Sequence, residues 1–310
     1  MNAPVVIFAY DRKEHLIQTM NALTNADGSD STKVYVFSDA AKSEKSIHGV
    51  NEVREYLHDL EKTHSFETME IICAEQNKGL SKSIIEGITC IVNEYGRVIV
   101  LEDDIVVAKD FLMFMNRALD HYETDNKVWA ISAYVEDFDF LKKHPYKMFA
   151  YWRADCWGWA TWSDRWNLND WNVTDYKQFA FSMKKRKEFN RGGEDLSRML
   201  DAQMVGAVNS WAIRWCYSAY KHNMLTMHPT ISRTANIGLD GSGEHCTDAG
   251  VVQSVRELAN QECIMNTCEL EENLWKEYTR CMKNRYTFIY RLRKNVKSLI
   301  RRIKYCFGTV

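Results

Sequence analysis

Short apolar runs and helically spaced apolar residues alternate through the first half of the chain. Val5 to Ala9, Val34 to Phe37, Met69 to Cys73, Val98 to Leu101 and Val128 to Ser132 are largely apolar, β-branched runs of strand length. Between them, Leu16, Ile17, Met20 and Leu23 recur at the spacing of one helix face. So do Val50, Val53, Leu57 and Leu60, and then Ile84, Ile85, Ile88, Ile91 and Val92. Strands that are apolar throughout are buried on both faces, and their alternation with helices builds right-handed βαβ units. The pattern predicts an α/β protein with a mainly parallel, Rossmann-like sheet flanked by helices. Residues 185 to 228 read as helical again, ending at His228-Pro229.

In an open α/β sheet, ligands gather beyond the carboxyl ends of the strands, and here several runs end in charge. The fourth run continues into Glu102-Asp103-Asp104. Adjacent carboxylates repel unless a cation sits among them, and hard divalent ions take carboxylate oxygens while keeping positions for phosphate. The triplet therefore predicts a metal-assisted site for a nucleotide diphosphate, with Asp104 on the ion and Glu102 or Asp103 facing donor hydroxyls. The plainer reading is a solvated loop ahead of a helix start. The first run ends Ala9-Tyr10-Asp11-Arg12, and Arg12 at a helix start is suited to a diphosphate or to a surface salt bridge. The second ends Ser38-Asp39, a carboxylate able to bind a base or ribose or to cap its turn; Gln76-Asn77-Lys78-Gly79-Leu80 follows the third as a loop that either closes over a nucleotide or simply turns.

Composition narrows the classes. The chain has 310 residues and a formal net charge of −2, so no global field points to nucleic acid. No run approaches the roughly 20 apolar residues of a membrane span, and the amino terminus enters its first apolar run at once, which leaves no room for a signal peptide. Nine cysteines without CxxC spacing fit reduced thiols and a cytoplasmic setting. Six tryptophans, Trp152, Trp157, Trp159, Trp162, Trp166 and Trp171, crowd one region, either filling core or stacking on a sugar ring. Trp157-Gly158-Trp159 is the best stacking candidate, since glycine permits close approach. A glycine-rich loop from Asn236 leads to His245, whose neutral imidazole could join the metal. From Lys276 the chain is strongly basic, with Tyr286, Ile289, Leu292, Val296, Leu299, Ile300 and Ile303 interleaved among Lys and Arg. Such a helix suits the surface of an anionic membrane.

Taken in order, these segments resemble a GT-A glycosyltransferase, and more narrowly the bacterial sugar transferases related to N-acetylglucosaminyltransferase I. The resemblance covers roughly residues 3 to 250. It rests on Ala9-Tyr10-Asp11-Arg12, Ser38-Asp39, Glu102-Asp103-Asp104, Trp157-Gly158-Trp159 and Pro229-Thr230-Ile231-Ser232-Arg233-Thr234 followed by His245. It implies a GT-A domain over residues 1–270 and a basic tail over 271–310. It also implies inverting transfer from a UDP-sugar to a saccharide or lipid-linked acceptor, in surface polysaccharide synthesis such as O-antigen or capsule, at the inner face of the membrane. Arg12 would then meet the diphosphate, Asp39 the uracil or ribose, Glu102 and Asp103 the donor sugar and ribose. Asp104 would bind Mn2+ or Mg2+, with His245 completing the contacts. Relatives place the acceptor's base, an aspartate, immediately before a tryptophan. Here that stretch is Asn209-Ser210-Trp211-Ala212, without an acid, which leaves Asp201, Asp195, Glu194 and Asp155 as base candidates. Two rivals are a sugar-nucleotide nucleotidyltransferase, disfavoured because the first loop lacks glycine, and a non-catalytic nucleotide-sugar binder.

Overall fold

The computed structural model describes residues 2–241, 265–284 and 288–308. Among the described residues ten strands are formed: β1 (Val5–Ala9), β2 (Lys33–Ser38), β3 (Thr68–Cys73), β4 (Arg97–Glu102), β5 (Ile105–Val107), β6 (Val128–Ser132), β7 (Met148–Tyr151), β8 (Trp159–Trp162), β9 (Leu225–Pro229) and β10 (Thr234–Asn236). Eight make one sheet in the order β3-β2-β1-β4-β8-β6-β9-β7. The stretch β3-β2-β1-β4 is parallel throughout, as expected. Helices Lys13–Thr24, Glu44–Glu61 and Leu80–Tyr95 connect these strands, each burying the residues its spacing marked: Leu16, Met20 and Leu23; Val50, Val53 and Leu57; Ile84, Ile88, Ile91 and Val92. This is an α/β fold with a mainly parallel central sheet flanked by helices.

Because β1 is flanked by β2 on one side and β4 on the other, the direction of winding reverses between β1 and β4. The chain leaves those two neighbouring strands to opposite sides, and a crevice opens beyond their carboxyl ends. β5 continues past the end of β4 and pairs antiparallel with β10, which brings the segment after Asn236 back over this crevice.

Past β4 the pattern departs from the simple alternation. β8 is inserted antiparallel between β4 and β6, and β9 runs parallel to β6. The stretch expected to be helical up to residue 228 contains helices Met183–Phe189, Leu196–Met204 and Trp211–Lys221, but ends in β9. A five-residue buried run carries too little periodicity to separate strand from helix. Asn223, at a φ of 54°, turns the chain out of the preceding helix and into the sheet.

Most of the tryptophans are core. Trp159 is 1% exposed, and its ring lies 5.3 Å from Trp211, 5.5 Å from Trp215 and 6.0 Å from Trp166. Trp166 donates its ring N–H to Thr89 Oγ1 at 2.8 Å, which ties this layer to the helix Leu80–Tyr95.

Both carboxy-terminal helices pack on this body. Glu272–Asn284 sets Leu274 and Tyr278 against Leu141, Phe149 and Tyr151. The helix Phe288–Phe307 is held by a polar anchor around Asp201. That carboxylate is fully buried; it accepts hydrogen bonds from Tyr176 Oη and Arg186 Nη1 on one oxygen, and from Arg186 Nη2 and Ser298 Oγ on the other. Arg302 approaches the same carboxylate at 3.9 Å. Among the described residues no helix is long and apolar enough to cross a membrane.

Removing one member of a buried, hydrogen-bonded ion pair strands the rest. Asp201→Ala should therefore lower unfolding stability by about 3–5 kcal/mol, read as a shift in the urea midpoint at unchanged m-value.

Candidate active site

The acidic triplet ends β4 at the point of reversal. Asp103 and Asp104 occupy the turn between β4 and β5, and both are nearly buried. Arg12, which precedes the helix Lys13–Thr24 at the end of β1, donates Nη2 to both: to Asp103 Oδ1, and to Asp104 Oδ2 at 2.8 Å. Asp103 is pinned further, since Oδ2 accepts from the Tyr10 amide at 3.3 Å and its carbonyl from Thr19 Oγ1 at 2.9 Å. Glu102 is the last residue of the strand, and consecutive strand residues point to opposite faces. Its electrostatic neighbours include Cys156 on the segment that leads into β8.

One guanidinium cannot balance three crowded carboxylates. Burial, reinforced by Asp104 and Asp103, pushes the Glu102 carboxyl up to about 8, with Arg12 opposing. Burial pushes Asp103 up to about 6, against the pull of Arg12. Arg12 is itself disfavoured by burial, but the two carboxylates more than compensate and raise its pKa.

Three features fit a phosphate and its cation at this place. Arg12 Nη1 is buried and makes no hydrogen bond within the protein. Asp103 and Asp104 are hard oxygen donors. Gly238, held where the Ile237 amide bonds the Asp104 carbonyl at 2.9 Å, faces them without a side chain; a Cβ there would stand 2.1 Å from Asp104 Oδ2 and 2.7 Å from Arg12 Nη1. Among the described residues no three His, Cys, Asp or Glu side chains form a complete metal site. A cation on Asp104 would thus take further ligands from the diphosphate and water, as Mg2+ commonly does. His245, the expected completing ligand, lies outside the described residues.

Asp39 sits at the same edge, at the end of β2, with both oxygens engaged. Oδ1 accepts from the Ala40 and Lys78 amides, each at 2.9 Å, and Oδ2 from the Gly79 amide at 2.8 Å and Asn77 Nδ2 at 3.2 Å. Its carboxylate therefore shapes the Gln76–Gly79 loop, and only a remaining lone pair could reach a nucleotide. Arg54, which the sequence reading did not single out, bonds the Asp39 carbonyl at 3.3 Å and the Ala74 carbonyl at 2.7 Å, stapling the ends of β2 and β3. An arginine in a helix carries no signal for this, since the carbonyls it meets belong to two other elements.

The third side of the crevice is the segment 152–158. Thr234 Oγ1 bonds the Trp157 carbonyl at 2.7 Å, and Gly158, at a φ of +82°, packs where a Cβ would stand 2.6 Å from Thr234 Cγ2. Trp159, proposed from sequence to stack on a sugar, is enclosed by other indoles and has no face left for one. Trp157 is only partly buried, edge-on to Tyr134 at 4.6 Å, and is the member of the pair with accessible surface. The difference is a matter of pleat and position: Trp159 begins β8 facing inward, while Trp157 precedes the glycine turn.

The four base candidates fall in different surroundings. Asp201 is enclosed in the anchor described above. Asp195 is paired bidentately with Arg153 at 3.0 and 3.1 Å; burial raises its pKa, but the arginine outweighs this and holds it low. Asp155 lies 3.5 Å from His228 Nδ1 and 3.8 Å from Arg153 Nε, with its pKa raised by burial against the pull of those two. Glu194 precedes Asp195 in the turn leading to the helix Leu196–Met204. Ser210, the residue immediately before Trp211, caps the helix Trp211–Lys221, accepting from the Ile213 amide at 3.3 Å, and supplies no carboxylate.

No protein-family model and no curated protein matches this chain. Among solved structures it is similar to S. aureus TarS 1-349, with 10% identity over 99% of this chain and 81% of that one at a TM-score of 0.48. A longer TarS structure shows 12% identity over 69% of this chain and 41% of its own, at a TM-score of 0.39. GalNAc-T7, solved with UDP, GalNAc and Mn2+, shows 9% identity over 74% of this chain and 42% of its own, at 0.44. What the crevice can do is decided by its own residues.

Gly238→Ala tests whether the space beside Asp104 and Arg12 is a ligand cradle. The added methyl would overlap Asp104 Oδ2 and Arg12 Nη1 and displace that pair, so it should lower the melting temperature and weaken UDP binding more than tenfold by calorimetry; unchanged affinity would place the ligand elsewhere.

Proposed function

We propose that this protein is a metal-dependent, inverting GT-A glycosyltransferase that moves a sugar from a UDP-sugar to an acceptor hydroxyl. The observation that carries the reading is the convergence of Arg12, Asp103, Asp104 and Gly238 where the sheet reverses direction, the place at which α/β proteins hold nucleotides. A cation held by Asp104 would neutralise charge on the departing diphosphate. Arg12 has a spare N–H for the same oxygens and stabilises the charge that develops as the glycosidic bond breaks. The Gln76–Gly79 loop, shaped by Asp39, borders the nucleoside side of the crevice. Trp157 offers an apolar surface to a sugar ring.

The acceptor needs a base, and Ser210 stands immediately before Trp211, where relatives carry an aspartate. Asp155 is our assignment: it sits on the segment adjoining the acidic triplet, beside His228 and Arg153, and burial raises its pKa, which makes the carboxylate a stronger base. Its carboxylate would take the hydroxyl proton as the acceptor oxygen attacks the anomeric carbon opposite the leaving UDP. Lipid-linked saccharides of bacterial surface polysaccharides are the acceptor class that the family resemblance favours. The missing acid at Ser210 also supports a second reading, a nucleotide-sugar binder without turnover.

Both readings are separated by measuring UDP release from a panel of UDP-sugars, with manganese or with chelator. Manganese-dependent release from one donor, reduced at least 100-fold in Asp104→Ala (roughly what loss of a charge-stabilising group costs), is the expected result. Donor binding by calorimetry without release, even with saccharide acceptors added, would favour the binder. Absence of both binding and release would overturn the proposal. Asp155→Asn should lower kcat at least tenfold with little change in donor affinity if Asp155 is the base.

A further inference from the structure

The helix Phe288–Phe307 is docked by its polar side. Ser298, Arg302 and Tyr305 follow at i, i+4 and i+7 and face the protein: Ser298 Oγ on Asp201, Arg302 Nη1 on the Ala180 carbonyl at 3.0 Å, and the Tyr305 ring edge-on to Tyr176 at 4.8 Å. The opposite face holds Val296, Ile300, Ile303 and Phe307 at i, i+4, i+7 and i+11, with Leu299 beside them. All five are exposed, Ile300 at 61% and Phe307 at 76%. A helix that packs on a soluble protein ordinarily turns its apolar stripe inward. Here the buried ion-pair network around Asp201 holds it the other way.

The stripe extends beyond the helix. The Phe307 ring lies 5.9 Å from Phe181, and two residues after Phe181 comes Met183, 77% exposed. Along the helix alone the apolar row from Val296 to Phe307 runs about 16 Å, at roughly 1.5 Å per residue. Its flanks are of one sign. Arg293, Lys297 and Lys304 are exposed beside it, Lys184 and Lys187 are exposed on the neighbouring helix Met183–Phe189, and no Asp or Glu occurs after Glu277.

We propose that this surface lies on an anionic lipid bilayer, with Val296, Leu299, Ile300, Ile303 and Phe307 entering the interface and the flanking Lys and Arg meeting the headgroups. An apolar stripe along a helix with basic flanks is the pattern of interfacial helices, and such charges are attracted to anionic leaflets. A second copy of the chain would bring the same positive charge to the contact and be repelled. The proposal does not depend on the identity of the reaction. It depends on Asp201, because that anchor decides which face is outward.

The test uses the full chain and vesicles of phosphatidylcholine, alone or mixed with phosphatidylglycerol. The protein should sediment with the mixed vesicles and scarcely with phosphatidylcholine, and lose the association at high salt. Ile300→Glu with Phe307→Glu should cut partitioning about tenfold or more (a charge at the interface opposing apolar burial) while circular dichroism and melting temperature stay unchanged. If that variant is misfolded, Ile303→Ser gives a milder form of the same reading, with a smaller loss expected. Failure of the wild type to bind mixed vesicles, or equal binding by a folded variant, would overturn the proposal. So would a light-scattering dimer that the variant dissolves without any vesicle binding by the wild type.

Discussion

A single guanidinium shared among crowded carboxylates is the interaction on which the crevice depends. Arg12 enters from the end of β1 and the triplet from the end of β4, and only the side-by-side pairing of those strands lets them meet. The pairing is driven by apolar side chains buried on both faces of the sheet, not by the charges at its edge. The charges exploit a position that the core has already built. Burial first, and their mutual repulsion second, raise the pKa values of Glu102 and Asp103 against the pull of Arg12. A site holding more negative charge than its own cation neutralises is prepared to accept another, and Arg12 retains a donor for the phosphate that would accompany it.

The rest of the crevice is made by backbone and shape. The β5–β10 pair carries Gly238 over Asp104, where a side chain would collide with Asp104 Oδ2 and Arg12 Nη1. Gly158 lets the chain pass close to Thr234 before entering β8. Behind it the packed indoles of Trp159, Trp166, Trp211 and Trp215 form a stiff layer, since large aromatic side chains lose little freedom for the area they bury. A loop mounted on such a layer can hold Trp157 and Asp155 in place.

Asp201 is an example of a carboxylate whose burial has a structural use. It draws Arg186, Tyr176 and Ser298 into one network that joins four separate helical segments. Buried ion pairs add little net stability but strongly penalise alternatives that leave them unpaired. Rotating the carboxy-terminal helix to hide its apolar face would withdraw Ser298 and Arg302 from Asp201 and Arg186, so the network favours the orientation in which apolar side chains remain outside.

The amino-acid sequence by itself determined the alternation of strands and helices, and with it the sheet edge at which Arg12, Asp39 and the acidic triplet gather. These features are local: an apolar run with a charged end states both the strand and the place where it stops. Whatever depends on contacts between distant segments was not legible. The five residues of β9 are too few to show a period, and β8 joins the sheet between strands far from it in sequence. Trp157 and Trp159 differ by two positions, yet one borders the crevice and the other is sealed in the core. Asp39 shows a carboxylate in the sequence, but only the folded loop reveals that its oxygens are already shared with amide groups. Asp201 and the basic helix show the same division. Periodicity marked the helix as amphipathic, whereas the tertiary structure decided which face is buried, because that choice is made by Ser298 hydrogen bonds to an ion pair about a hundred residues away in the chain.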